Sequence, residues 1–147
     1  MSATKPEPGL FVSAYEKLGG IVWIPRMLRK IRMNAAGRLP AEYQPFLGKG
    51  FDGRCVRFLG IDYDRLVARV LEGTTDGEVL VWIRQHGTQL TDEQVGVWNE
   101  FMTKRGWNDT DVPPEKFRDY KEKHGFGHRD DILTYFDFYE VDEGRKA

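Results

Sequence analysis

At 147 residues the chain has the length of one domain, and its 31% charged and 40% hydrophobic residues, with 9 Phe, 6 Tyr and 4 Trp, describe a globular protein. The single cysteine, Cys55, excludes an intrachain disulfide; no apolar run approaches the roughly 18 residues of a membrane span; and "MSATKPEPGLF" lacks the apolar stretch of a signal peptide, so a cytoplasmic protein is expected. The net charge of −1 hides an asymmetry: residues 1–73 hold 12 Lys/Arg against 7 Asp/Glu (+5), residues 74–147 hold 10 against 16 (−6), and a nucleic-acid partner is not expected of a domain that is not basic as a whole.

Residues 1–9, with Pro6 and Pro8, read as a flexible tail, and residues 10–147 as a single helical domain. Pro25 suits a helix first turn, and Ile24, Met27, Leu28, Ile31 and Ala35 form one apolar stripe that Gly37 ends. A shorter helix spans Asp52 to Leu59 and stops at Gly60. Asp62 caps the next, whose apolar face is Leu66, Val67, Val70 and Leu71, ending at Gly73. Thr75 with Glu78, and Thr91 with Gln94, have the spacing of capping boxes. The first opens a helix through Val79, Trp82, Ile83 and His86; the second opens one through Val95, Trp98, Phe101, Met102 and Arg105. Pro113 and Pro114 start a helix that runs to His124. A last one begins near Asp130 and Asp131 and turns Ile132, Tyr135, Phe136 and Tyr139 inward. The expected architecture is all-α: one compact domain of about seven helices, without substantial sheet.

Arg26, Arg29 and Lys30 lie opposite the apolar stripe of the first helix, with Arg32 at its flank. Four cations on one face could hold a phosphate, a carboxylate ligand or an acidic partner. The alternative, which we prefer, is that they are answered within the protein, chiefly by the acids from Asp130 to Glu143. "GKGFDGRC" (Gly48–Cys55) lacks the spacing of a phosphate loop and reads as a glycine-rich turn with Asp52 as cap; Arg54 and Arg57 follow it. Cys55 is either a thiolate activated by those arginines or, as we expect, a small core residue. His86 and His124 precede glycines at helix ends, where a cation complements the dipole. Glycines interrupt His124, His128, Asp130 and Asp131, so no metal site is expected. No cofactor is implied. Trp107, with Asn108, Asp109 and Asp111, either forms a ligand edge or, as we expect, folds back over a helix end.

Four stretches, "LGGIVWIPRMLRKIR", "FLGKGFDGRCVRFLG", "VWNEFMTKRGWND" and "RDDILTYFDFYEVDEGR", appear in that order. Together they resemble the bacterial domain-of-unknown-function family 5069, over about residues 10–145. The resemblance implies a bacterial cytoplasmic protein with a helical domain, and it transfers no catalytic residue. The function expected from the residues is a non-enzymatic binding or interaction module, whose Arg-rich helix engages an acidic partner or small anion. Its candidate residues are Arg26, Arg29, Lys30, Arg32, Arg54, Arg57, Trp107 and Asn108. The alternatives are an enzyme with an Arg/Asp/His or Cys55 acid–base pocket for a small anionic substrate, and a homo-oligomer in which basic and acidic halves meet.

Overall fold

The computed structural model describes residues 9–147. A small antiparallel hairpin comes first, β1 (Lys17–Leu18) and β2 (Ile21–Val22), with Lys17 opposite Val22 and Leu18 opposite Ile21. It corrects the expectation of a purely α fold. Gly19 and Gly20 make its turn at φ 60° and 80°, the left-handed region a two-residue hairpin turn needs and glycine adopts without strain. Seven α-helices follow among the described residues: α1 (Ile24–Ala35), α2 (Phe51–Leu59), α3 (Tyr63–Val70), α4 (Asp76–His86), α5 (Asp92–Lys104), α6 (Glu115–Lys123) and α7 (Tyr135–Asp142). A 3₁₀ turn, Ala41–Phe46, lies between α1 and α2. The expected tail falls outside the described residues except for Gly9.

Short-range hydrogen bonds set most boundaries. Asp62 accepts the Arg65 N–H at 3.1 Å, and both capping boxes are complete. Two starts differ from expectation. Asp52 does not cap α2; Gly50 precedes that helix, and Asp52 lies in its first turn with a fully buried side chain. The last helix begins after Thr134, whose hydroxyl accepts the Asp137 N–H at 3.2 Å, while Asp131 is engaged by Arg129 instead.

The main core joins Ile24, Met27, Leu28 and Ile31 of α1 to Cys55 and Leu59, Leu66 and Val70, Val79 and Ile83, Trp98 and Met102, and Phe136 of the later helices. Each such side chain contributes about 1.5–3 kcal/mol by leaving water, so burial against α1 organises the domain. Helix α5 covers the hairpin. Trp98 Nε1 donates to the Val22 carbonyl at 3.2 Å, while the Asn99 side chain accepts the Val22 N–H at 3.0 Å and donates to the Gly20 carbonyl at 2.8 Å. Smaller apolar clusters form around Phe11 with Met33, and around Phe117 with Phe138. No helix among the described residues is long and apolar enough to cross a membrane.

Candidate functional site

The basic face of α1 is not a solvated surface. Arg26 is 1% exposed, and its Nη1 and Nη2 donate to Glu143 at 2.8 and 2.6 Å in a two-pronged pair. Its guanidinium also stands over the rings of Phe11 at 4.9 Å and Tyr139 at 4.5 Å. Burial alone would make Arg26 easier to deprotonate. The bonds and charge of Glu143 outweigh that, and hold the guanidinium more firmly protonated than usual.

Arg26 belongs to a larger clamp. Three successive backbone carbonyls accept from three different arginines: Leu10 from Arg29 Nε at 3.0 Å, Phe11 from Arg145 Nη1 at 3.3 Å, and Val12 from Arg26 Nη1 at 3.0 Å. Arg145 also donates to Glu143 at 2.6 Å and Glu140 at 2.8 Å, and Glu140 accepts from the Ser13 hydroxyl at 2.7 Å. The early segment thereby lies strapped between α1 and the end of α7. The backbone there belongs to no helix or strand, and the arginines supply the donors that its carbonyls need.

The other two cations use acids elsewhere. Lys30 Nζ lies 3.0 Å from both oxygens of Asp52, which also accepts the Trp23 Nε1–H at 2.9 Å. Burial pulls the Lys30 ammonium below the ordinary lysine range, with Asp52 opposing. Trp23, the residue before α1, has φ 80°, a left-handed conformation costly for a bulky side chain, and is kept there by Asp52 and by stacking on Phe136 at 5.8 Å. Arg32 pairs with the partly exposed Asp76 and donates to the Thr74 carbonyl at 3.1 Å. Of the acids from Asp130 to Glu143, therefore, Glu143 answers Arg26, whereas Asp52 and Asp76 answer Lys30 and Arg32.

A different set of candidates converges on an open cleft of about 430 Å³ between α2 and the segment that follows α5. Arg54, Trp107 and Asn108 line it together with Phe101, Arg105 and Asp111. The Arg54 guanidinium stands 5.0 Å from the centre of the Phe101 ring, and among the described residues it has no hydrogen-bond or ion-pair partner. Trp107 does not fold back over the helix end; it is 55% exposed. Asn108 follows at φ 57°, which asparagine tolerates better than most residues.

The loop that carries these side chains is braced. Arg105, itself buried, donates from Nη2 to Asp111 at 2.8 Å and lies 3.4 Å from Asp109, which accepts the Gly106 N–H at 2.9 Å. The bond from Arg105 holds the Asp111 carboxyl below the ordinary carboxylate range. Helical spacing marks Phe101 and Arg105 as members of the α5 stretch and not as site residues; the fold turns Phe101, 39% exposed, under Arg54.

The remaining candidates lie apart. Arg57 is exposed on α2 and does not line the cleft. Cys55 points into the core, and burial pushes its thiol well above the ordinary range. The Nδ1–H groups of His86 and His124 donate to the Trp82 and Tyr120 carbonyls at 2.9 and 2.8 Å, one turn back on their own helices. Among the described residues no group of three or more His, Cys, Asp or Glu is placed to hold a metal.

Fold and cleft together define a mostly helical single domain with an open cleft in which Arg54 and Arg105 both lie over the Phe101 ring. A family model described as "Domain of unknown function (DUF5069)" matches residues 9–145, and the chain belongs to that family. The comparison with curated proteins finds no match.

Proposed function

We propose that the protein is a non-enzymatic binding module that holds a small anion in the cleft between α2 and the loop after α5, rather than on its Arg-rich helix. The observation that carries this reading is the state of the arginines. Arg26, Arg29 and Arg32 donate to groups of the protein itself, whereas Arg54 lines a cleft and, among the described residues, makes no hydrogen bond or ion pair, with Phe101 beneath it and Asp111 within Coulombic reach. Asn108, exposed and without a hydrogen-bond partner among the described residues, offers a second donor at the rim. An acid–base enzyme has less support, because the acids nearest Arg54 are engaged by Arg105 and Cys55 is buried away from the cleft. Self-association through the charge asymmetry has less support too, since Arg26 with Glu143 and Arg32 with Asp76 join the basic and acidic halves within one chain. We place the module in the bacterial cytoplasm, as the family resemblance implies.

The test is a thermal melt in sodium acetate against sodium chloride at matched ionic strength. Binding to the folded state alone raises the melting temperature as ligand exceeds its dissociation constant. An acetate-specific rise is expected in the wild type and in Arg29→Gln, and its loss is expected in Arg54→Gln. Equal behaviour of the wild type and Arg54→Gln would refute the proposal.

A further inference from the structure

We infer that the ligand of the Arg54 cleft is an aromatic monocarboxylate, an inference that rests on the binding reading above and specifies its chemistry. Two properties of the lining select that class. The first is charge. Arg105 is committed to Asp109 and Asp111, and Lys104 is paired with Glu100. Among the described residues Arg54 makes no hydrogen bond or ion pair, so its donors are open to a ligand, although it lies within Coulombic reach of Asp111 in the same lining. The lining holds three cations, Arg54, Lys104 and Arg105, against two acids, Asp109 and Asp111, a balance of +1 that a carboxylate in two-pronged geometry on Arg54 answers, whereas a dianionic phosphate would leave one negative charge over.

The second property is apolar area. Phe101 lies beneath the guanidinium of Arg54 at 5.0 Å and that of Arg105 at 5.5 Å and is still 39% exposed, and the Trp107 indole is 55% exposed on the same cleft. Large aromatic side chains are ordinarily covered, and the exposed Trp107 indole, with the uncovered part of Phe101, gives a flat body somewhere to stack beside Arg54. Neither surface serves a small hydrated anion, which would use Arg54 alone. The loop braced by Arg105, Asp109 and Asp111 presents Trp107 without ordering on binding, which lowers the entropic cost of holding a rigid ring. The cleft, at about 430 Å³, falls within the size range of small-molecule sites.

Isothermal titration of the full chain with four probes at constant ionic strength tests the inference: benzoate, acetate (charge without ring), benzamide (ring without charge) and phenyl phosphate (ring with a second charge). Benzoate is expected to bind about tenfold more tightly than acetate or benzamide, since ring stacking and the charge each contribute on that scale. It should also bind more tightly than phenyl phosphate. Arg54→Gln and Trp107→Ala should each weaken benzoate about tenfold, while Arg65→Gln on α3, outside the cleft, should not. Thermal melts of the free variants confirm that all fold, and Trp107→Leu provides a second apolar variant should the alanine protein be unstable. Acetate binding as tightly as benzoate, or phenyl phosphate binding more tightly than benzoate, with either lost in Arg54→Gln, would overturn the aromatic-monocarboxylate inference and leave the binding module standing. Failure of all four probes to bind would overturn both.

Discussion

Replacing Glu143 by glutamine removes one charge and almost no volume, so it isolates what the buried ion pair contributes. In the native protein Glu143 is 4% exposed and accepts from Arg26 at 2.8 and 2.6 Å and from Arg145 at 2.6 Å. Arg145 is partly exposed and retains Glu140 at 2.8 Å, so it loses little. Arg26 is 1% exposed, and its Nε already lacks a partner among the described residues. With a neutral amide opposite, its charge stays buried with one amide oxygen, the Val12 carbonyl and neighbouring aromatic faces to answer it, and no negative charge. Removing one member of a buried pair costs about 3–5 kcal/mol. For a chain of this size each kcal/mol is worth about 2–4 °C, so Glu143→Gln should lower the melting temperature by about 6–20 °C. Differential scanning calorimetry and urea unfolding measure it. Arg32→Gln is the internal comparison: its pair with Asp76 has side-chain exposures of 34% and 43%, and an exposed pair is worth about 0–1 kcal/mol. The double replacement Arg26→Met with Glu143→Leu should recover much of the loss, because it removes the orphaned charge itself. If Glu143→Gln costs no more than Arg32→Gln, the clamp is not holding the early segment as described.

Cys55 should react slowly with a thiol reagent in the folded protein and rapidly in denaturant, since it is fully buried and its thiol resists ionisation; fast native labelling would show an open path to the core. Asp131 should titrate at about 2 by NMR, held down by its hydrogen bonds from Arg129, and Arg129→Gln should return it toward 3.8. Because the folded-state value is depressed, whatever stability this pair supplies is present above the ordinary aspartate range and is lost as pH falls through the folded value near 2; a midpoint unchanged by Arg129→Gln would refute the assignment. Gly87→Ala should destabilise by about 1–3 kcal/mol in urea unfolding, because a Cβ there would stand 2.3 Å from the Leu59 carbonyl oxygen and force the ends of α2 and α4 apart. An unchanged midpoint would mean that those ends separate freely.

Helix positions were legible because their signals are local. Thr75 and Glu78, or Thr91 and Gln94, need only their own turn of chain to form a capping box, and both do so. Thr134 carries the same kind of signal, but neighbouring Asp130 and Asp131 compete for the N-cap, and Arg129 takes one of them. The hairpin was also written locally, in the Gly19–Gly20 pair, although its strands are too short to show alternation. Burial of Arg26 was not legible. A helical wheel gives the direction of a side chain, and its partner lies 117 residues further along the chain. The cleft was hidden for the same reason. Arg54 and Trp107 were visible as residue types, but their meeting depends on α2 packing beside the end of α5, which no short-range pattern encodes.

We propose a division of labour in which the arginines of α1 bind this protein's own chain and Arg54 is left in its cleft for a ligand. Two-dimensional amide NMR during a benzoate titration at constant ionic strength tests it most directly, because every helix is observed at once. Shift changes are expected to concentrate at Arg54 and at residues 101–111, with the amides of Ile24–Ala35 unmoved. Changes concentrated on α1, with none around Trp107, would contradict it and return the anion site to the basic helix.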